Sequence, residues 1–214
     1  MESYRHKGLR SKLIRTLKAK GISHPNVIEA MSQVPRHLFL DKAFEEWAYR
    51  DQAFPIGCGQ TISQPYTVAY QTQLIDPQPT DKILEIGTGS GYQAAVLSHL
   101  CKKIYSIERH EPLYRNTSLL LARIGYRQVR TLHGDGYLGA DRYAPFDKII
   151  ITAGASIMPD ILLQQLKVGG YLVIPIGDGD DKTMKRITKV TEDRFEEESF
   201  GIFQFVPFLE GTES

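Results

Sequence analysis

Hydrophobic positions fall mostly in short continuous runs separated by stretches of helical spacing. The run Lys82-Ile-Leu-Glu-Ile86 reads as a buried strand, and it passes through Gly87, Gly89 and Gly91 into Gln93 to Leu100, where Ala and Leu recur at helical intervals. The alternation then repeats. Lys103 to Ile107 reads as a strand, Glu111-Pro112 opens a helix to about Ile124 that Gly125 closes, and Gln128 to His133 reads as a strand. Phe146 to Thr152 is a further strand, Pro159 to Leu166 a helix and Gly170 to Ile176 a strand. Lys185 to Thr191 and Phe200 to Phe208 are β-rich, and the charged segment between them predicts a final antiparallel pair on the sheet edge.

Repeated βα units of this kind predict an α/β fold: a doubly wound, mostly parallel sheet with helices on both faces and ligands beyond the carboxyl ends of its strands. Upstream, residues 1–20 place Leu9, Leu13, Ile14 and Leu17 in one apolar stripe among eight Lys, Arg and His residues, which reads as a packing helix. Gly21 ends it. A second helix starts at Ser23-His-Pro25 and runs to Val34. Pro35 to Ile62 mixes aromatic and turn residues and reads as one long packed loop, of a length that usually serves function. Ser63 then stands just before a helix begun at Pro65 or Tyr66 and ending at Ile75, so its position alone makes it an N-cap.

The pattern divides the chain into a single domain of three parts: 1–80 a helical and substrate-loop extension, 81–177 a cofactor-binding core, and 178–214 the C-terminal strands. Bulk properties narrow the function. Hydrophobic residues make up 42% and charged residues 24%, as in a globular protein without a disordered segment. The 26 Lys and Arg against 25 Asp and Glu leave a net charge of +1, which gives no footprint for nucleic acid or an anionic membrane. No apolar run reaches membrane-spanning length and the N-terminus has no signal-peptide pattern, so a cytoplasmic protein is expected. Cys58 and Cys101 read as two reduced thiols, and the six histidines, without metal-ligand spacing, predict no zinc site. The acidic turn Gly177 to Thr183 has neither P-loop nor EF-hand spacing and reads as a hairpin or loop.

The candidate chemistry centres on the glycine turn. The first amides of the following helix, together with its dipole, make a seat for a nucleotide-like ligand or a carboxylate. A dinucleotide fingerprint needs a glycine where Tyr92 stands, which disfavours an NAD-dependent oxidoreductase. Glu108, 21 residues beyond Gly87 at the end of the next strand, is placed to meet ribose hydroxyls.

The string acidic-x-Gly-x-Gly-x-Gly from Glu85 to Gly91 resembles the first motif of the class I S-adenosylmethionine-dependent methyltransferases. Four blocks in order, Gly57 to Ala69, Lys82 to Leu97, Ile107 to Gly139 and Ala144 to Gly177, resemble the protein-L-isoaspartate (D-aspartate) O-methyltransferase family. Val34 to Phe39 and Phe205 to Leu209 extend the resemblance over nearly the whole chain, and Gln60-Thr-Ile-Ser-Gln-Pro65 is its family-specific block. The resemblance implies S-adenosyl-L-methionine as cofactor and, as acceptor, the free carboxylate of L-isoaspartyl residues in damaged peptides and proteins. It implies Ser63 as the active-site hydroxyl, and cofactor roles for Thr61, Ser63, Glu85, Gly87, Gly89, Glu108, Asp135 and Gly136, the last two near adenine. Val206 and Pro207 match the family's C-terminal strand beside the substrate. Another methyl acceptor, or a cofactor-binding adaptor without catalysis, remain the alternatives; oligomeric state and D-aspartyl tolerance stay open.

Overall fold

Two helices open the fold, α1 (Tyr4–Ala19) and α2 (Pro25–Gln33), in the computed structural model, which describes residues 3–213. Residues 1, 2 and 214, at the outer bounds of the expected domain, lie outside the described residues. Ser3 caps α1 by accepting from the His6 amide, and the apolar stripe buries Leu13 and Leu17. In α2, Pro25 fills the first turn, while Val27, Ala30 and Met31 face inward.

The stretch expected to be one long loop is more ordered than that. It holds two 3-10 helices, Arg36–Phe39 and Lys42–Trp47, and a hairpin of β1 (Phe54–Gly57) and β2 (Gln60–Ile62). These elements are three to six residues long, too short to print a period on the sequence. Tertiary contacts hold them instead. Arg36 is wholly buried, its Nε donates to the Ala48 carbonyl at 2.9 Å and its Nη2 to that of Gln52 at 3.2 Å, and its guanidinium lies 4.8 Å from the Tyr92 ring centre. Burial pulls its pKa down to about 10, so it stays charged at neutral pH. Helix α3 (Pro65–Ile75) follows the hairpin.

The predicted alternation then appears as β3 (Lys82–Ile86), α4 (Tyr92–Ser98), β4 (Lys103–Glu108), α5 (Glu111–Arg123), β5 (Val129–His133) and β6 (Phe146–Ile151). It continues as α6 (Asp160–Gln164), β7 (Leu166–Ile176), β8 (Asp181–Lys189) and β9 (Phe195–Gln204). The strands form one sheet in the order β5-β4-β3-β6-β7-β8-β9, parallel from β5 to β7 and antiparallel at β8 and β9. Alternate residues enter opposite cores: Ile83, Ile104, Ile150 and Val173 join one buried cluster, and Leu84, Ile107, Ile149 and Leu172 the other. That double burial explains the continuous apolar runs. The chain winds outward from β3 to β5 and then returns to β6 on the other side of β3, so the crevice of the switch point opens at the carboxyl end of β3.

At the C-terminal end the expected boundaries shift. β9 begins at Phe195 and takes in Glu196 to Glu198, which the sequence presents as a charged connector. Those carboxylates pair across the ladder, Glu197 with Lys185 at 2.6 Å and Glu198 with Arg186 at 2.7 Å, so charge is compatible with an edge strand. β9 stops at Gln204. Val206 and Pro207 therefore lie beyond the strand expected to contain them, in a segment that pairs with Gly154 through the Val206 carbonyl and the Phe208 amide, each at 2.8 Å. Pro207 has no N–H and cannot sit in a continuous ladder. Among the described residues, no helix is long and apolar enough to cross a membrane.

Candidate active site

The glycine turn between β3 and α4 takes left-handed φ values at Gly87 (95°), Gly89 (50°) and Gly91 (83°), which side chains beyond hydrogen disfavour. Space is short as well. A Cβ on Gly87 would lie 2.6 Å from Thr152 Oγ1. The anion seat expected at this turn is narrowed, because five of its amides are engaged within the protein. The amides of Gly87 and Thr88 donate to the Ile107 carbonyl (2.8 and 3.1 Å), that of Gly89 to Glu108 Oε2 (2.8 Å), and that of Gly91 to the Thr88 carbonyl (2.8 Å). Tyr92 N–H donates to Ser90 Oγ at 3.3 Å. The end of β4 runs beside the turn and supplies acceptors, and α4, at seven residues, brings only a short dipole. A pyrophosphate would find these donors occupied, which is a physical reason against the dinucleotide reading.

Glu108 is buried, and its Oε1 also accepts from the His110 amide at 3.0 Å. Each oxygen keeps lone-pair capacity, and the carboxylate forms part of a cavity wall. Thr61 and Ser63, from the hairpin and its exit, line the same cavity as Gly87, Gly89 and Glu108. Gly136, Val206 and Pro207 complete that group. A Cβ on Gly136 would run into Ile86 and Phe208, so only glycine permits the close packing there.

Two expected cofactor residues lie off the wall. Glu85 is wholly buried behind the turn, because alternation along β3 sends its side chain into the core beneath. Its Oε2 accepts from Ser106 Oγ, and Ser106 Oγ lies 2.7 Å from the Thr88 hydroxyl, itself on the cavity wall. Burial raises the Glu85 carboxyl, the Ser106 hydrogen bond draws it back and the Glu108 charge adds a further push, leaving its pKa at about 8. Asp135 instead caps the 3-10 helix Gly136–Leu138, accepting from Tyr137 N–H at 2.8 Å, and holds the C-terminal segment through Gly211 N–H at 2.8 Å. Each of its oxygens accepts one amide, and Asp135 is not among the residues of the cavity wall.

Ser63 is not the N-cap of α3. Gln64 holds that position without a side-chain cap bond, and Asp51 Oδ1 takes the Tyr66 amide instead, at 2.8 Å. Sequence reasoning also missed Thr88, His110, Thr152 and Phe208, all on the cavity wall. Ser106 carried a readable signal, being a polar residue inside an apolar strand; the others lie in turns whose neighbours only the fold supplies. A second groove shares Thr61, Ser63, Thr152 and Val206 with the cavity and continues past Tyr66, Phe203 and Asp181. Among the described residues no cluster could hold a metal ion, and Cys58 and Cys101 are unpaired, the first exposed and the second buried.

Comparison with known proteins agrees with this architecture. The chain is 54% identical over 206 residues to the protein-L-isoaspartate O-methyltransferase of Flavobacterium psychrophilum, covering 96% of each chain. It superposes on a solved protein-L-isoaspartate O-methyltransferase with a TM-score of 0.85 at 26% identity, covering 95% of this chain and 67% of that one. A Plasmodium falciparum structure solved with S-adenosyl-L-homocysteine shares the fold, with a TM-score of 0.82 at 24% identity over 95% of this chain and 98% of that one. The model of the protein-L-isoaspartate(D-aspartate) O-methyltransferase family matches residues 8–213, and the chain belongs to that family.

Proposed function

We propose that this protein transfers a methyl group from S-adenosyl-L-methionine to the free carboxylate of L-isoaspartyl residues in damaged peptides and proteins, and that Ser63 positions that carboxylate. One observation carries the reading: Ser63 and the glycine turn with Glu108 border one cavity. The residues suit the cofactor. Glu108 offers buried acceptor capacity for ribose hydroxyls, Ile86, Ile107 and Phe208 offer apolar surface for a base, and the amides of Gly87, Thr88, Gly89 and Gly91 are already engaged within the protein. We assign Thr61, Gly87, Gly89, Glu108 and Gly136 to the cofactor side and Val206 and Pro207 to the acceptor side. Glu85 and Asp135 act at one remove, the first through Ser106 and Thr88 and the second by fixing the segment around Gly211.

When bound, the cofactor supplies an electrophilic methyl group on a sulfonium. The acceptor carboxylate, with a pKa near 4, is already ionised at neutral pH, so the site needs no general base. That suits a cavity whose singled-out group is a hydroxyl. Ser63 donates to one carboxylate oxygen and leaves the other free to attack in line, which makes its contribution one of orientation. The methyl ester is a better acyl donor than the carboxylate, so the adjoining backbone nitrogen attacks its carbonyl, methanol leaves with the amide proton and a succinimide closes without further help; hydrolysis of that ring returns part of the product as normal aspartate. The two unpaired cysteines fit a reducing compartment, and we place the activity in the cytoplasm.

The test offers labelled S-adenosyl-L-methionine with an isoaspartyl peptide, the matching aspartyl peptide and RNA, to wild type and to Ser63→Ala. The expected result is label on the isoaspartyl peptide alone, with turnover in Ser63→Ala down by about tenfold or more. Label on RNA, or on both peptides equally, would overturn the acceptor; unaltered turnover in Ser63→Ala would remove the hydroxyl from the reaction.

A further inference from the structure

Helix α3 starts directly after the active-site segment, yet no side chain at its own start closes the first turn. The missing acceptor comes from Asp51, outside the helix. Its Oδ1 accepts from Tyr66 N–H at 2.8 Å, and its Oδ2 accepts from Gln64 Nε2 at 3.1 Å and from Lys20 Nζ, at the end of α1, at 2.6 Å. The Asp51 side chain is 10% exposed, so this carboxylate is held from several sides. The loop that carries it is pinned on both flanks, because buried Arg36 donates to the carbonyls of Ala48 and Gln52.

Ser63 gains from this arrangement. A serine just before a proline-initiated helix ordinarily turns its hydroxyl onto the first amides, as an N-cap. Here Asp51 already holds the Tyr66 amide, and among the described residues the Ser63 hydroxyl has no hydrogen-bond partner within the protein. We infer that Asp51 is a positioning residue for the methyl transfer: it caps α3 from another segment, fixing the backbone beside Ser63 and leaving the serine hydroxyl free for the acceptor carboxylate. The inference rests on the proposed role of Ser63.

The experiment is a double-mutant cycle of Asp51→Ala and Ser63→Ala, reading kcat and KM for an isoaspartyl peptide, S-adenosyl-L-homocysteine affinity by calorimetry, and the urea midpoint. Asp51→Ala is expected to lower kcat by about tenfold while cofactor affinity stays within about twofold. Asp51→Asn, which keeps an acceptor for the Tyr66 amide, should recover most of kcat. Lys20→Met, which removes only the half-exposed partner, should leave kcat within about twofold of wild type. The double variant should be no slower than Ser63→Ala alone, since Asp51 acts through that hydroxyl. Multiplying effects in the double variant, or wild-type kcat in Asp51→Ala, would overturn the link while the Ser63 reading stands. Wild-type kcat in Ser63→Ala would overturn both. Should Asp51→Ala fail to fold, Asp51→Glu, which keeps the charge but shifts it by one methylene, carries the same cycle.

Discussion

The Gly89 amide donates to Glu108 Oε2 at 2.8 Å, so the turn after β3 and the end of β4 are fastened to each other by the carboxylate that faces the cavity. On the proposed function Glu108 thereby has two tasks, one structural and one toward the ligand. Glu108→Ala should lose about 2 kcal/mol of stability, because the amides of Gly89 and His110 lose their acceptor. It should also weaken S-adenosyl-L-homocysteine binding by about tenfold or more. Urea unfolding and calorimetric titration check the two effects separately. A folded variant with wild-type affinity would take Glu108 off the cofactor side.

A second prediction concerns Gly89. Its φ of 50° is left-handed, and a Cβ there would lie 3.3 Å from Ile56 Cδ1 of the hairpin. Valine adds two methyls and a backbone preference for the other side of the map, so Gly89→Val should cost about 1–3 kcal/mol and push the hairpin outward. Calorimetry should then detect little or no S-adenosyl-L-homocysteine binding in a protein that is still folded. Retained binding would show that the backbone here does not meet the ligand.

Glu85 makes stability depend on pH with a definite sign. Its carboxyl rises from an ordinary 4.5 to about 8 in the folded protein, chiefly by burial, so the native state holds a proton that the unfolded chain releases. This contribution is complete below about 4.5 and declines as pH climbs to about 8, after which it is flat. The slope it adds is at most about 1.4 kcal/mol per pH unit. Glu85→Gln removes the titration but keeps an acceptor for Ser106. Urea denaturation at pH 5, 6, 7 and 8 should give a flatter profile for the variant than for wild type. Parallel profiles would mean that Glu85 is ionised in the core.

The parallel core was legible because strands buried on both faces write continuous apolar runs, and Ile83 to Ile86 or Ile149 to Ile151 need no partner to be recognised. Glu108 was legible for a related reason: it follows such a run, where the sheet meets its crevice. Ser63 shows the limit. Its position is that of a cap, and only the approach of Asp51 from another loop transfers that task elsewhere. Glu85 shows another limit, since the motif that contains it does not reveal which face of β3 it occupies. Between Pro35 and Ile62 the order comes from Arg36 reaching the carbonyls of Ala48 and Gln52, a relation with no periodic trace.

Thr61, Ser63, Thr152 and Val206 border both the cavity and the groove beside it, so the two spaces meet at these four residues. On the proposed function, donor and acceptor each occupy one of these spaces and meet where the two join. Neither has to vacate a shared corridor before the other arrives, so both can be resident together and the methyl group passes directly between them, with no stop on the protein itself.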